Sequence, residues 1–112
     1  MKLLMIVLNQ VKKLDELLEG FISADIHGAT IINSTGMVSE LAKHIENYPI
    51  FGSLRFMVDL NRAESKTIFM VLKEEKVEQA KDIVRKTVGD LSKPNTAVIF
   101  TMPILSAEGI EI

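Results

Sequence analysis

The chain has 112 residues, of which 13 are basic and 15 acidic, and it contains no cysteine. The nearly balanced charge, without a basic block, argues against nucleic-acid binding, which usually leaves a cluster of lysine and arginine residues. The missing cysteines exclude disulfides, thiol catalysis and cysteine-ligated metals, and they fit a cytoplasmic location. The length predicts a single domain over residues 1–112.

The first predicted element is a buried strand over Lys2–Leu8, which is apolar at every position after Lys2. This run is far shorter than the roughly 20 apolar residues of a membrane-spanning helix, so we expect no membrane span. Apolar residues then recur at helical spacing from Val11 to Ile22, with charged residues between them. The pattern predicts an amphipathic helix that packs on the strand.

A short strand and a short helix are predicted next. Residues 29–33 are mostly β-branched and predict a strand, which the sequence Ser34-Thr35-Gly36 ends. Ser39 is a candidate N-cap for a helix over residues 40–47, because its hydroxyl can accept a hydrogen bond from a first-turn N–H. Pro49 prevents that helix from continuing.

The second half of the chain repeats the strand–helix pattern. Residues 54–60 and 67–72 predict strands, and the polar residues 61–65 between them predict a hairpin or loop. An apolar stripe from Val77 to Val88 predicts a second helix with Gly89 as its C-terminal cap in the left-handed conformation. Residues 96–101 predict a last strand, and Pro103 either ends it or places it at a sheet edge.

This element order predicts an α+β fold, a ferredoxin-like β-α-β-β-α-β sandwich with a long loop after the second strand. In such a sandwich the helices cover one face of the sheet and leave the other bare. Because Lys2–Leu8 carries apolar side chains at successive positions, both faces of this strand are apolar. A bare apolar face is unfavourable in water, so we expect the chain to form an oligomer with copies of itself.

Five short segments resemble, in order and spacing, the PII signal-transduction proteins of the nitrogen regulatory protein P-II superfamily. Lys13-Leu14-Asp15-Glu16 resembles the family's Lys-Leu-Asp-Asp at the first helix, and Gly28-Ala29-Thr30 resembles its Gly-x-Thr at the second strand. Gly36 falls where that strand leads into the family's long T-loop. Phe56-Met57-Val58-Asp59-Leu60 is similar to the Tyr-Met-Val-Asp-Phe that leaves the T-loop, and Ile83-Val84-Arg85 to the Ile-Ile-Arg of the second helix.

The resemblance implies a homotrimer that binds a small effector in clefts between subunits and signals to a protein target through a loop, here residues 36–55. No catalytic residue is implied, so we expect a regulator and not an enzyme. Within the loop, Tyr48 and Phe51 are the candidate regulatory residues, with Phe51 at the position of the tyrosine that the family modifies. The candidate ligand-binding residues are Thr30, Thr35, Gly36, Val58, Gly89 and Lys93.

The nucleotide loop departs from the family pattern. In PII proteins the clefts hold ATP or ADP through a Thr-Gly-x-x-Gly-Asp-Gly-Lys loop after the second helix and a pair of arginines beyond the last strand. Here residues 88–96 read VGDLSKPNT, and residues 102–108 contain no arginine. Because a phosphate cradle needs converging backbone N–H groups and fixed cations, we predict weak ATP binding. The effector, a nucleotide or another small molecule, stays open.

Two alternative functions remain. A structural or divalent-metal-binding trimer like the CutA proteins would share the architecture, but His27 and His44 belong to no His-x-x-His or Glu-x-x-His motif, so we predict no metal site. An enzyme with an intersubunit active site has the least support, because no nucleophile–base pair is visible. The paired acids at positions 15–16 and 74–75 lie in the first turns of predicted helices, where the helix dipole favours them.

Overall fold

The computed structural model describes residues 1–42 and 64–111 and has an α+β architecture. Within these residues, four strands form one antiparallel sheet in the order β2-β3-β1-β4, which confirms the predicted ferredoxin-like fold. The elements are β1 (Lys2–Leu8), a 3-10 turn (Val11–Lys13), α1 (Leu14–Ser23), β2 (Ala29–Thr35), α2 (Met37–Ala42), β3 (Glu64–Leu72), α3 (Glu74–Val88) and β4 (Ala97–Pro103).

The strand β1 lies in the centre of the sheet, where Leu4 pairs with Met70 of β3 on one side and with Thr101 of β4 on the other. In the sheet that the described residues form, β2 and β4 are therefore the edges. The edge strand β4 ends at Pro103, as predicted. Proline has no N–H to donate, and it is tolerated at the end of an edge strand because no sheet hydrogen bond is lost there.

The hydrophobic core lies between the sheet and the helices α1 and α3. Leu4, Ile6 and Leu8 of β1 and Ile68, Met70 and Leu72 of β3 face the helices and are buried. Burial of each large apolar side chain contributes about 2 kcal/mol, so this layer is the main source of stability. Its largest members are Leu4, Ile6, Leu8, Ile68 and Met70 from the sheet and Leu17, Phe21 and Val84 from the helices.

The strands β2 and β3 are longer than predicted. β2 continues to Thr35, and β3 begins at Glu64, although both ends fall in sequences that predict turns. Ser34 pairs with Ser65 and Thr35 pairs with Glu64. Cross-strand pairing therefore overrides the local turn preference of these polar residues. The predicted strand over residues 54–60 lies outside the described residues.

The helix α2 begins earlier than predicted, at Met37, so Ser39 lies inside the first turn and not at the N-cap. The Glu40 N–H donates to the carbonyl of Gly36 at 2.9 Å, which makes Gly36 the residue that precedes the helix. Residues 43–47 of the predicted helix lie outside the described part of the chain.

Gly89 ends α3, and its N–H donates to the Arg85 carbonyl at 2.8 Å. Its φ is positive, as the cap prediction requires, but its φ of 87° and ψ of −148° do not correspond to the predicted left-handed helical conformation. The chain leaves the helix in an extended direction available almost exclusively to glycine, so this position still requires glycine.

None of the helices within residues 1–42 and 64–111 combines the length and the apolar character needed to cross a membrane.

Candidate functional site

The predicted ligand residues on β2 lie at opposite ends of this edge strand. Thr30 is its second residue, Thr35 is its last, and Gly36 follows directly. Five residues at about 3.3 Å each separate Thr30 from Thr35 by about 17 Å. One small ligand therefore cannot contact both ends of β2 within a single chain.

The predicted ligand residues Gly89 and Lys93 lie in the connection from α3 to β4, at the same end of the sheet as Thr35. There Leu8, the last residue of β1, pairs with Ala97, the first residue of β4. Because β2 and β4 are opposite edges, three strand spacings of about 4.8 Å separate the two groups. The structure thus brings Gly89 and Lys93 into one loop, but not close to Thr35.

The loop after α3 uses its own polar groups internally. Ser92 donates to Oδ1 of Asp90 through its hydroxyl at 2.7 Å and its backbone N–H at 2.9 Å, and these bonds hold the pKa of Asp90 below its usual value. The Lys93 N–H donates to the Asp90 carbonyl at 3.1 Å. Two backbone N–H groups that a bound phosphate would need are therefore already taken, and Asp90 adds a negative charge beside them.

A cluster of three hydroxyl groups lies beside Thr35 and was not predicted. The hydroxyl oxygen of Ser34 lies 2.7 Å from that of Ser65 and 2.8 Å from that of Thr67. Ser65 and Thr67 are both buried. The three residues come from neighbouring strands and are 31 and 33 positions apart, so only the strand register, which the sequence does not give, could have identified the cluster.

The sheet face that α1 and α3 do not cover is mostly apolar, and we call it the open face. The strand register arranges its side chains in three rows across the sheet. Three of them are clearly exposed, Ile32 and Phe100 at 48% and Val98 at 46%. The open-face apolar residues are Leu3, Met5, Val7, Ile32, Phe69, Val71, Val98, Phe100 and Met102.

A cavity of about 730 Å³ lies at the end of the sheet where β2 begins and β3 ends. Its walls come from the connection between α1 and β2, the adjoining strand ends, the start of α3 and the C-terminal residues Ile110 and Glu111. Its volume is within the range of small-molecule sites in proteins. Of the predicted ligand residues in the described part of the chain, Thr30 lines this cavity.

The structure describes His27, one of the two histidines considered as metal ligands. His27 is exposed, and its Nε2 lies 2.7 Å from Oδ1 of Asp25. Among the described residues, no group of three or more histidine or acidic side chains is arranged to hold a metal ion. His44, the ligand residue Val58 and the loop residues Tyr48 and Phe51 lie outside residues 1–42 and 64–111.

The comparisons with known proteins concern the fold. No family model and no curated protein matches this chain. A crystal structure of a functionally unknown protein from Pediococcus pentosaceus ATCC 25745 is similar, with a TM-score of 0.64 and 17% sequence identity. The similarity covers 97% of this chain and 96% of that chain, so the two proteins share the whole fold.

Proposed function

We propose that the protein is a PII-like regulator: a cytoplasmic homotrimer without enzymatic activity that binds a small effector between subunits and signals to a protein target through residues 36–55. The observation that carries this proposal is the open face. Four strands about 4.8 Å apart and seven residues of about 3.3 Å each give it roughly 440 Å². This is the footprint of the whole face, on which most side chains are apolar, and contiguous exposed apolar surface of several hundred Å² is often an interaction site.

The separation of the β2 ligand residues supports an intersubunit site. In a cyclic trimer, the interface brings different patches of two neighbouring subunits together. We propose that the start of β2 from one subunit, with Thr30, lies against the end of β2 from the next, with Thr35 and Gly36. An effector held there would connect two subunits directly to the beginning of the signalling loop, and ordering of that loop would change the surface offered to a target.

Light scattering of the purified protein at micromolar concentration tests the assembly. We expect the mass of three chains, and a Phe100→Lys variant should shift it towards one chain, because a buried ammonium without a partner is strongly unfavourable. Ile22→Lys is the matched control, since Ile22 is 61% exposed on α1, away from the open face. A wild-type mass of one chain would contradict the proposal, and a stable dimer would contradict the PII-like assembly.

The signalling role of residues 36–55 is tested by replacing residues 37–51 with a short glycine linker. The variant should remain an oligomer and still bind an effector identified by a thermal-shift screen of nucleotides, cyclic nucleotides and bicarbonate, but it should lose the response of the protein target. Unfolding of the variant would place the segment in the core or the interface. A midpoint that rises with divalent metals and with no effector would instead favour the CutA-like alternative.

A further inference from the structure

The cavity at the start of β2 has one apolar wall and one basic wall. Leu3, Phe69 and Val71 belong to the open face, and Ile110 of the C-terminal segment lines the same space. The basic wall consists of Lys73 and Lys76, at the start of α3. A binding site that combines apolar surface with a few charged groups suits a small molecule with both kinds of group.

Both lysines have ammonium N–H groups that are available to a ligand. Lys76 Nζ donates to the carbonyl of Ala24 at 2.8 Å, which holds the ammonium beside the connection that lines the cavity. An ammonium has three donors, so two remain for a ligand. Lys73 makes no side-chain hydrogen bond or ion pair with another residue of the described ranges. The cavity therefore presents two cations that the fold itself uses only in part.

Two acidic residues also line the cavity, and they differ in their surroundings. The carboxylate of Asp25 is paired with His27 at 2.7 Å. Glu111 lies on the outer wall, in the exposed C-terminal segment that follows Gly109. Ile110 and Glu111 thus present an apolar group and a carboxylate to the same cavity. An apolar group beside a carboxylate is the combination that the apolar wall and the basic wall can bind.

We propose that this cavity binds a small molecule with an apolar body and a compact anionic group, such as a carboxylate, sulfonate or phosphate. The anion contacts Lys73 and Lys76, the apolar body lies against Leu3, Phe69 and Val71, and the Ile110–Glu111 segment forms the outer wall. All residues of this site belong to one chain, so the anion contact does not require the proposed regulatory function. Its apolar wall is nevertheless part of the open face, and Thr30 also belongs to the proposed intersubunit site, so the assembled subunits must leave this end of the open face accessible.

The dye 8-anilinonaphthalene-1-sulfonate, which joins an aromatic body to a sulfonate, is a direct probe of this chemistry. Its fluorescence should rise saturably with the protein, and Lys73→Glu should weaken binding about tenfold because an attraction becomes a repulsion. Lys12→Glu, at an exposed lysine of the 3-10 turn, makes the same charge change and should alter binding less than about twofold. The neutral dye N-phenyl-1-naphthylamine should bind the wild type and the Lys73→Glu variant equally.

A substitution in the outer wall should strengthen dye binding, whereas Lys73→Glu should weaken it. Glu111→Gln should strengthen binding of the sulfonate dye about twofold to threefold, because it removes a like charge from the cavity. Glu108→Gln is the matched control, since Glu108 lies in the same exposed segment but does not line the cavity. If the Lys73 and Lys12 variants weaken the sulfonate dye equally, the proposed anion contact is wrong.

Gly28 allows the cavity to be filled without any change of charge. A Cβ added there has no atom within 4 Å, so Gly28→Phe has room to project into the space. This variant should lose the binding of both dyes while amide spectra confirm that it is folded. In the wild type, the amide chemical-shift changes that the sulfonate dye causes should be largest at Thr30, Val71 and Lys73. Unchanged dye binding in the folded Gly28→Phe variant, or shifts confined to Ile32, Val98 and Phe100, would overturn the proposal.

Discussion

Gly20 of α1 lies so close to Ile83 of α3 that a Cβ built on the glycine would be 2.8 Å from Ile83 Cγ2. Real side-chain carbons do not approach this closely. Cγ2 is attached directly to the β-carbon of a β-branched residue, so it cannot move away by rotation of a flexible chain end. Gly20 therefore sets the distance between the two helices that cover the sheet.

Gly20→Ala should lower the free energy of unfolding by about 1–3 kcal/mol, because overpacking outweighs the higher helix propensity of alanine. Chemical denaturation measures the change. Ile83→Leu removes the methyl group in question, so the double variant should recover part of the loss. Gly28→Ala is a control that adds a methyl group where no atom lies within 4 Å, and it should be nearly neutral. Equal effects of the two glycine substitutions would contradict the close helix contact.

The hydroxyl cluster should contribute to stability through Ser34, which contacts both other members. Ser34→Ala should cost about 1–2 kcal/mol, because it leaves the buried hydroxyls of Ser65 and Thr67 without this partner. Thr67→Val removes one of the two contacts and should cost less. The double variant should cost less than the sum, since both changes remove the same hydrogen bond. Denaturation of all three variants tests this, with the exposed Thr101→Val as a control, and strict additivity would show that the cluster is not coupled.

The pKa of Asp90 should depend on Ser92, whose hydroxyl and N–H stabilise the carboxylate. A carboxyl group with a lowered folded-state pKa adds stability above its unfolded-state value, near 3.8, and loses it as the pH falls through the folded-state pKa. An NMR titration should therefore give a pKa for Asp90 below 3.8 in the wild type and a pKa closer to 3.8 in Ser92→Ala. The stability difference between wild type and Asp90→Ala should also shrink on acidification. Identical titrations in the two proteins would exclude the Ser92 contacts in solution.

ATP binding should be much weaker than in a PII protein with an intact glycine-rich loop. The N–H groups of Ser92 and Lys93 already donate within the loop, and residues 102–108 supply no arginine. Isothermal titration with ATP and magnesium measures the affinity. Micromolar or tighter binding would show that other residues form the phosphate site.

The sequence was sufficient to predict the elements whose pattern is local. The apolar stripe of α3 predicts which face of that helix is buried, because helix periodicity depends on neighbouring residues. In β1 both faces are apolar, so the sequence predicts the strand but not which of its faces the helices cover. The sequence at Ser34 and Thr35 predicts a turn, because the pairing of these residues with Ser65 and Glu64 depends on two strands that are distant in the chain. Lys73 and Lys76 were likewise not recognised as cavity residues, because the opposite wall comes from distant parts of the chain.

The central position of β1 has a consequence for how the chain folds. Leu4 pairs with Met70 and Thr101, so the first strand completes its sheet pairing only when the last strand has been synthesised. Such distant pairings slow folding, because a large loop must close before the contacts form. Until then, the β4 edge of β1 is unpaired and the strand carries apolar side chains on both faces, which is the kind of segment that aggregates. Truncation within Ala97–Pro103 would make that transient state permanent.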